Sequence, residues 1–485
     1  MNRSEDIAEG APVSSRVVIV GAGMAGLLAA RVLADDFVDV VMIERDRLPD
    51  RSGARPGVPQ SAHGHILLAA GFRTIAELFP GIDRELEEEG AEPGDICADG
   101  IVNVRGRRLP RFASDLKTLL MSRALLEGHI RQRITAIPNV AIRTGCRSTG
   151  FLFDRTASRV TGIRLKTTDG AEEDLVADLV IDASGRSAAA SAWLDKNGLG
   201  QVPEIVVDAH VGYASRRFSL PTEQTMLPAA DWKVAACAWL PPGNRRAGGL
   251  YREENGVWVA SLVGALEATP STEADAFLDH ARQLEDPALY EALRHGVPLS
   301  KIAGYRVTGS RRRRFSPLTA RLKRLVVIGD ALCTVNPFYG QGMTIAALQA
   351  RALRRRFRRG AARGGSTLDR AARHAQRACE RVTAVPWLFS TTEDLRHGAA
   401  VEGRRTFVHR VIDWYVNRAL AGGGPRTVRA LYNTMSLVDP FALVRPGTVL
   451  DILLMPFLRR ERYNFRETSD QRPSTLKKRC GGGST

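Results

Sequence analysis

Two stretches of the chain hold residue types at spacings from which a cofactor site could be built. Gly21, Gly23 and Gly26 stand in the order G-x-G-x-x-G, with Glu44 further on. The first glycine allows a tight turn, the second lets backbone approach a pyrophosphate, and the third lets a helix sit close on a sheet. Glu44 is placed where a carboxylate accepts hydrogen bonds from a ribose. Far along the chain, Gly329-Asp330 ends a short apolar run, and Pro337, Gly340 and Gly342 make a loop that opens a helix. That is a second arrangement of ribose-and-phosphate type. Between them, Asp182-Ala183-Ser184-Gly185-Arg186-Ser187 forms a polar, glycine-containing turn. The implied chemistry is the holding of a dinucleotide by backbone N–H groups, a helix N-terminus and carboxylates. The glycine pattern alone leaves FAD and NAD equally open.

Other polar residues read as lining. Arg55, Gln60, His63 and His65 share one irregular Pro/Gly-rich loop, and the two histidines have no third ligand at motif spacing, so no metal site is expected. The six cysteines are scattered without a C-x-x-C pair, which argues against both a zinc site and a disulfide framework.

These residues need elements to place them. Val17–Val20 is a β-branched run expected as a strand buried on both faces, Leu27–Leu33 continues at helical period, and Val40–Ile43 is a second buried strand. An amphipathic helix is expected over Ile66–Phe79, stopped by Pro80. Ile101–Phe112 reads as a hairpin turning at Gly106, followed by a helix from about Ser122. Val140–Arg143, Gly150–Phe153, Val160–Lys166 and Asp174–Ile181 read as strands. From about 205 to 265, alternating and apolar runs separated by Pro and Gly predict a mainly antiparallel sheet rich in His210, Tyr213, Trp232, Trp239, Tyr251 and Trp258. Thr272–Leu293 is expected helical, Ile302–Val307 and Leu325–Ile328 as strands, and Met343–Leu353 as a helix.

A chain of 485 residues suggests two or three packed units. With 44% hydrophobic and 25% charged residues it has a soluble globular composition. The net charge of +16 raises nucleic acid, a membrane surface or acidic partners. Arg311–Arg314 and Arg354–Arg359 hold one aromatic, Phe357, and no nucleic-acid module accompanies them. A solvated basic face is the expectation, with docking of an acidic carrier or reductase as the alternative. The polar start and the lack of an apolar run of ~18 residues read as cytoplasmic. Val449–Leu458 is apolar and followed by arginines, a pattern for packing on the main body or lying on a membrane surface. Ser469–Thr485 is expected disordered.

GAGMAG with Glu44, the DASGRS turn and GDALCTVNPFYGQGM, in that order, resemble the flavoprotein monooxygenases of the aromatic-hydroxylase fold. More narrowly, RPGVPQSAHGH, DASGRS, NPFYGQGMT and PWLFSTTED are similar to bacterial FAD-dependent epoxidases of polyether polyketide biosynthesis, cousins of squalene monooxygenase. The resemblance implies an α/β fold: a Rossmann-like FAD-binding domain with an inserted, mainly antiparallel substrate domain and a helical C-terminal region. The FAD-binding parts would be 15–94, 114–204 and 301–380. A substrate-domain hairpin would span 95–113 and its sheet 205–300, followed by helices over 381–468 and a tail over 469–485. It also implies that Gly21, Gly23 and Gly26 hold the FAD pyrophosphate and Glu44 the adenosine ribose, with Met24, Ala25 and Arg45 among the cofactor-binding residues. Arg123 would reach the phosphates or ribityl chain. Asp330 would bind the ribityl hydroxyls, and Arg55, Gln60, Asp182 and Gly329 would complete the cofactor contacts. Pro337, Gly340, Gln341, Gly342 and Met343 would pack under the isoalloxazine. The implied reaction is insertion of oxygen through a flavin C4a-hydroperoxide, as alkene epoxidation or, alternatively, hydroxylation; an isoprenoid-type reductase shares these features. The halogenase signature Trp-x-Trp-x-x-Pro is missing. Asp182-Ala183 replaces the Asp-Gly of the aromatic hydroxylases, which fits NAD(P)H used through a partner reductase or docked weakly.

Overall fold

Strand Arg16–Val20 is apolar on both faces because it lies in the middle of a parallel sheet. In the computed structural model, which describes residues 15–49, 53, 57, 62–220, 232–306, 309–358 and 365–458, five strands form that sheet. Their order is Leu325–Val327, Leu179–Asp182, Arg16–Val20, Asp39–Ile43 and Val140–Arg143. Val17 faces Leu179 on one side and Val40 on the other, so the ends of the three central strands come level. Helix Met24–Leu33 leaves the first strand through Gly21 and packs against the long helix Gly342–Phe357. The two glycine loops, more than three hundred residues apart in sequence, therefore meet at the carboxyl ends of this sheet's strands.

Three further layers cover the site. Cys146–Asp154, Arg159–Thr167 and Glu172–Val176 form an antiparallel meander. An eight-stranded sheet contains Val211–Ser219, Val234–Cys237, Arg246–Arg252 and Trp258–Ala265, with Ala303–Arg306 paired to the first of these. Hairpin strand Gly100–Val104 joins the same sheet by a parallel pairing with Val234–Cys237 in an otherwise antiparallel set. The C-terminal helices Phe407–Gly422, Pro425–Met435 and Pro446–Leu458 lie over that hairpin, where Val102 and Leu109 share a core with Tyr432, Ala442 and Ile452.

Several expected elements are corrected. The helix expected over Ile66–Phe79 spans Ala69–Leu78. Ile66–Leu68 is extended, because the Leu67 carbonyl accepts a hydrogen bond from Thr118 Oγ1 at 2.6 Å. The run Asp174–Ile181 divides into Glu172–Val176 and Leu179–Asp182, which belong to different sheets. Asp178 N donates to Arg16 O at 2.8 Å, and there the chain crosses from one sheet to the other. Helix Thr272–Leu293 is broken into Ala274–Arg282 and Ala288–Leu293, where Pro287 intervenes and Asp286 Oδ1 accepts from Ala288 N at 3.0 Å. The tail expected to be disordered lies outside the described residues. Among the described residues no helix is long and apolar enough to cross a membrane.

Candidate functional site

One cavity of about 780 Å³ runs from the glycine turn to the eight-stranded sheet, within the ~300–1,000 Å³ usual for small-molecule sites. Gly21, with φ of +102°, turns the chain out of the strand so closely that an added Cβ would stand 2.5 Å from Ala183 O. A Cβ on Gly26 would stand 1.9 Å from Gly21 O, so this glycine serves packing and does not line the cavity. Gly21, Gly23, Met24 and Ala25 do line it. Glu44, buried at the end of strand Asp39–Ile43, lines it too. Its Oε2 accepts from Ala22 N at 2.8 Å and its Oε1 from Asp46 N at 3.0 Å, so the carboxylate is fixed against the glycine turn. Arg45 flanks it. Arg123 opens helix Arg123–Thr135, which Ser122 caps by accepting from Leu125 N at 3.2 Å. Its guanidinium is aligned by Glu127 Oε2 at 3.1 and 3.2 Å.

From the opposite side come Gly329, Asp330, Pro337, Gly340, Gln341, Gly342 and Met343. Gly329 and Gly340 have φ of +60° and +64°, and a Cβ on Gly342 would meet no protein atom within 4 Å. At Gly342 the loop thus presents bare backbone at the start of a sixteen-residue helix, where free N–H groups favour negative charge. These features fit a flavin dinucleotide: a glycine turn with no room for side chains, carboxylates at two strand ends, and an exposed helix start. The expected residues Gly21, Gly23, Met24, Ala25, Glu44, Arg45, Arg123, Gly329, Asp330, Pro337, Gly340, Gln341, Gly342 and Met343 are all brought together. Asp182 is not. It is fully buried and away from the cavity, its carboxylate accepting from Ser184 N at 3.0 Å and Ala190 N at 2.7 Å. It shapes the DASGRS turn, while Ala183 to Ser187 supply the lining. Arg55 and Gln60 lie outside the described residues.

The far end of the cavity is apolar and aromatic. Ile66, Leu68, Tyr213, Tyr251, Tyr305 and Phe338 face it from five segments. Phe389, Tyr432 and Met435 close it from the C-terminal helices. His63 and His65 sit at the border. His63 Nδ1 lies 2.8 Å from Ser215 Oγ, and His65 Nδ1 lies 2.9 Å from the His63 carbonyl. Burial pushes their pKa values down to about 4 and about 3, with Arg217 adding to the effect on His63 and Arg123 on His65. Both rings are neutral at pH 7 and act as hydrogen-bonding walls. Sequence reasoning did not single out Tyr305, Phe389, Tyr432 or Met435. No local spacing marks a residue as lining a cavity that forms only when distant helices close over it.

A family model for the FAD binding domain matches residues 14–384. Protein Rv3254 of Mycobacterium tuberculosis is 32% identical over 402 residues, which cover 79% of this chain and 81% of that protein. Squalene monooxygenase SE1 of Panax ginseng is 28% identical over 175 residues, 36% of this chain and 30% of that enzyme. Among solved structures, the myxobacterial chondrochloren halogenase CndH, a variant of FAD-dependent halogenases, superposes with a TM-score of 0.60 at 16% identity. The match covers 87% of this chain and 97% of that one.

Proposed function

The chain belongs to the FAD binding domain family, and from that premise we propose that it is an FAD-dependent monooxygenase acting on a hydrophobic polyketide- or terpenoid-like substrate by alkene epoxidation. One observation carries the reading: a single cavity has a dinucleotide-holding end and an apolar aromatic end, so cofactor and substrate share one space. What a flavin supplies when bound and reduced is activation of O2. This chain's residues do the rest. Gly21, Glu44, Arg123 and Asp330 hold and orient the dinucleotide, and the backbone of Gly342 and Met343, at the helix start, offers N–H groups to negative charge on the ring. Tyr213, Tyr251 and Phe338 keep water from the reacting end and position an apolar carbon chain. Epoxidation needs no side-chain base, because an alkene has no proton to lose, and neutral His63 and His65 suit such a site.

Electrons would come from NAD(P)H, directly or through a partner reductase; the positive net charge of +16 favours an acidic partner. Hydroxylation is the alternative oxygenation, and a missing Trp-x-Trp-x-x-Pro signature counts against halogenation. A peripheral membrane contact at the C-terminus belongs to the same proposal. Its support is the exposed apolar face of Phe407, Val408, Val411 and Trp414 on one helix beside Leu450 and Leu454 on another. The test of the reaction is labelling: with 18O2 and a terpenoid or polyketide alkene, one label atom should enter the product. Product formed equally well without oxygen would replace this reading by a flavin reductase.

A further inference from the structure

Behind the loop that carries Gly340 to Met343 lies a carboxylate that none of these steps uses. Asp394 is the last residue of helix Ala384–Asp394 and is 2% exposed. Its three hydrogen-bond partners are all neutral donors. Asn336 Nδ2 lies 2.8 Å from Oδ1, the Tyr339 hydroxyl 3.4 Å from Oδ1, and Ser310 Oγ 3.5 Å from Oδ2. A buried carboxylate at a helix C-terminus, where the backbone dipole is itself negative, is electrostatically adverse. Burial pushes its pKa up to about 7, and neighbouring Glu393 adds to this.

Asn336 carries the contact onward to the cavity. Its Oδ1 accepts from the Tyr213 hydroxyl at 2.9 Å and from Phe338 N at 3.1 Å, which starts the turn Pro337–Tyr339. Its own N–H donates to Ser390 Oγ at 3.3 Å. Tyr213, Phe338 and Tyr339 line the cavity, and the Trp239 ring packs on Phe338 at 5.0 Å.

We propose that Asp394 is a positioning residue for the flavin loop, its ionisation setting, through Asn336 and Tyr339, how firmly residues 336–343 are held against a bound flavin. The inference rests on the flavin reading above. The ionised carboxylate accepts from Asn336 and Tyr339 as charge-assisted bonds, roughly twice as strong as neutral ones; once Oδ2 is protonated the same two bonds to Oδ1 are neutral and weaker, and the Ser310 hydroxyl must turn around. The loop is therefore held most firmly above pH 7 and loosens below it. Tyr213 and Tyr339, which also face Asp394, are pushed well above their ordinary values by burial and stay neutral in that range. Neighbouring Glu393 is ion-paired to Arg105 and Arg396. Fold stability moves the opposite way. The folded value of Asp394 lies above its ordinary 3.8, so the ionised group costs stability above pH 7 and that cost fades as the pH falls toward 4.

The test titrates the full-length apoprotein with FAD between pH 6 and 8.5, following flavin fluorescence, alongside melting temperatures. Wild-type affinity should tighten about tenfold from pH 6 to 8, the scale of one hydrogen bond to a charged group. Asp394→Asn should flatten the profile and bind about tenfold more weakly at pH 8, while melting no lower than wild type there. Tyr339→Phe, which keeps the carboxylate but removes one donor, should move the midpoint upward and serves if Asp394→Asn does not fold. A wild-type profile in Asp394→Asn, or an unmoved midpoint in Tyr339→Phe, overturns the inference. A wild-type chain that binds no FAD at any pH overturns the flavin reading, and this inference with it.

Discussion

Glu44 directly follows one strand of the sheet, Asp330 lies in the short turn after another, and the two reach the cavity from opposite flanks. Each is expected to meet a polyhydroxyl part of the cofactor, and a hydrogen bond to a charged group contributes ~1.5–3 kcal/mol. Glu44→Ala and Asp330→Ala should each weaken FAD retention by about tenfold or more, read as the flavin-to-protein ratio after desalting. Gly21→Ala should do worse. Its Cβ would stand 2.5 Å from a backbone carbonyl at a φ of +102°, so the turn itself must move. Flavin content equal to wild type in all three would remove these residues from the site. Tyr213 shows the converse case, a residue legible in sequence only as one aromatic among several. Its hydroxyl bond to Asn336 depends on a partner over a hundred positions away.

At the scale of elements, the C-terminal helices are held to the eight-stranded sheet by a buried ionic cluster. Arg105, in the left-handed turn of the hairpin, is paired with Glu393 and lies 3.0 Å from Asp413 Oδ1, while Arg396 reaches both acids at 3.1 Å. The Arg105 side chain is only 2% exposed. Removing one partner of a buried pair costs ~3–5 kcal/mol, because the other charges remain buried. Arg105→Ala should lower the melting temperature by several degrees and open the aromatic end of the cavity to solvent. Arg164→Ala, whose pair with Asp174 lies at the surface, should leave it unchanged. Equal melting temperatures for the two variants would mean that the cluster does not secure these helices. The hairpin itself was legible from its alternation and from Gly106. Its parallel seat beside Val234–Cys237 was not, because strand pairing is decided by distant segments.

Over the whole molecule, apolar exposure is uneven. Phe407 is 74% and Trp414 56% exposed on helix Phe407–Gly422, and that helix packs against Pro446–Leu458 through Arg418, which donates to Leu453 O at 3.3 Å. Exposed apolar residues on two packed helices of a chain of net charge +16 are suited to an anionic lipid surface. The protein should co-sediment with vesicles containing phosphatidylserine, and less with neutral ones. Val411→Asp with Trp414→Asp should reduce that binding without changing flavin content. No sedimentation with either vesicle would remove the membrane from this account.

The sequence by itself determined the parts whose physics is local. Gly21, Gly23 and Gly26 need a particular backbone over a few residues, Val17–Val20 needs burial on both faces, and Glu44 and Asp330 follow directly from strand ends. Those constraints act within a turn or a strand, so spacing reveals them. Only the tertiary structure decided which residues meet. It turned Asp182 away from the cavity, brought Tyr432 and Met435 over its apolar end, and set Asp394 behind the loop it anchors. Such contacts are made across sheets and helices packed together by non-directional burial of apolar surface, which leaves no periodic trace of its partners along the chain.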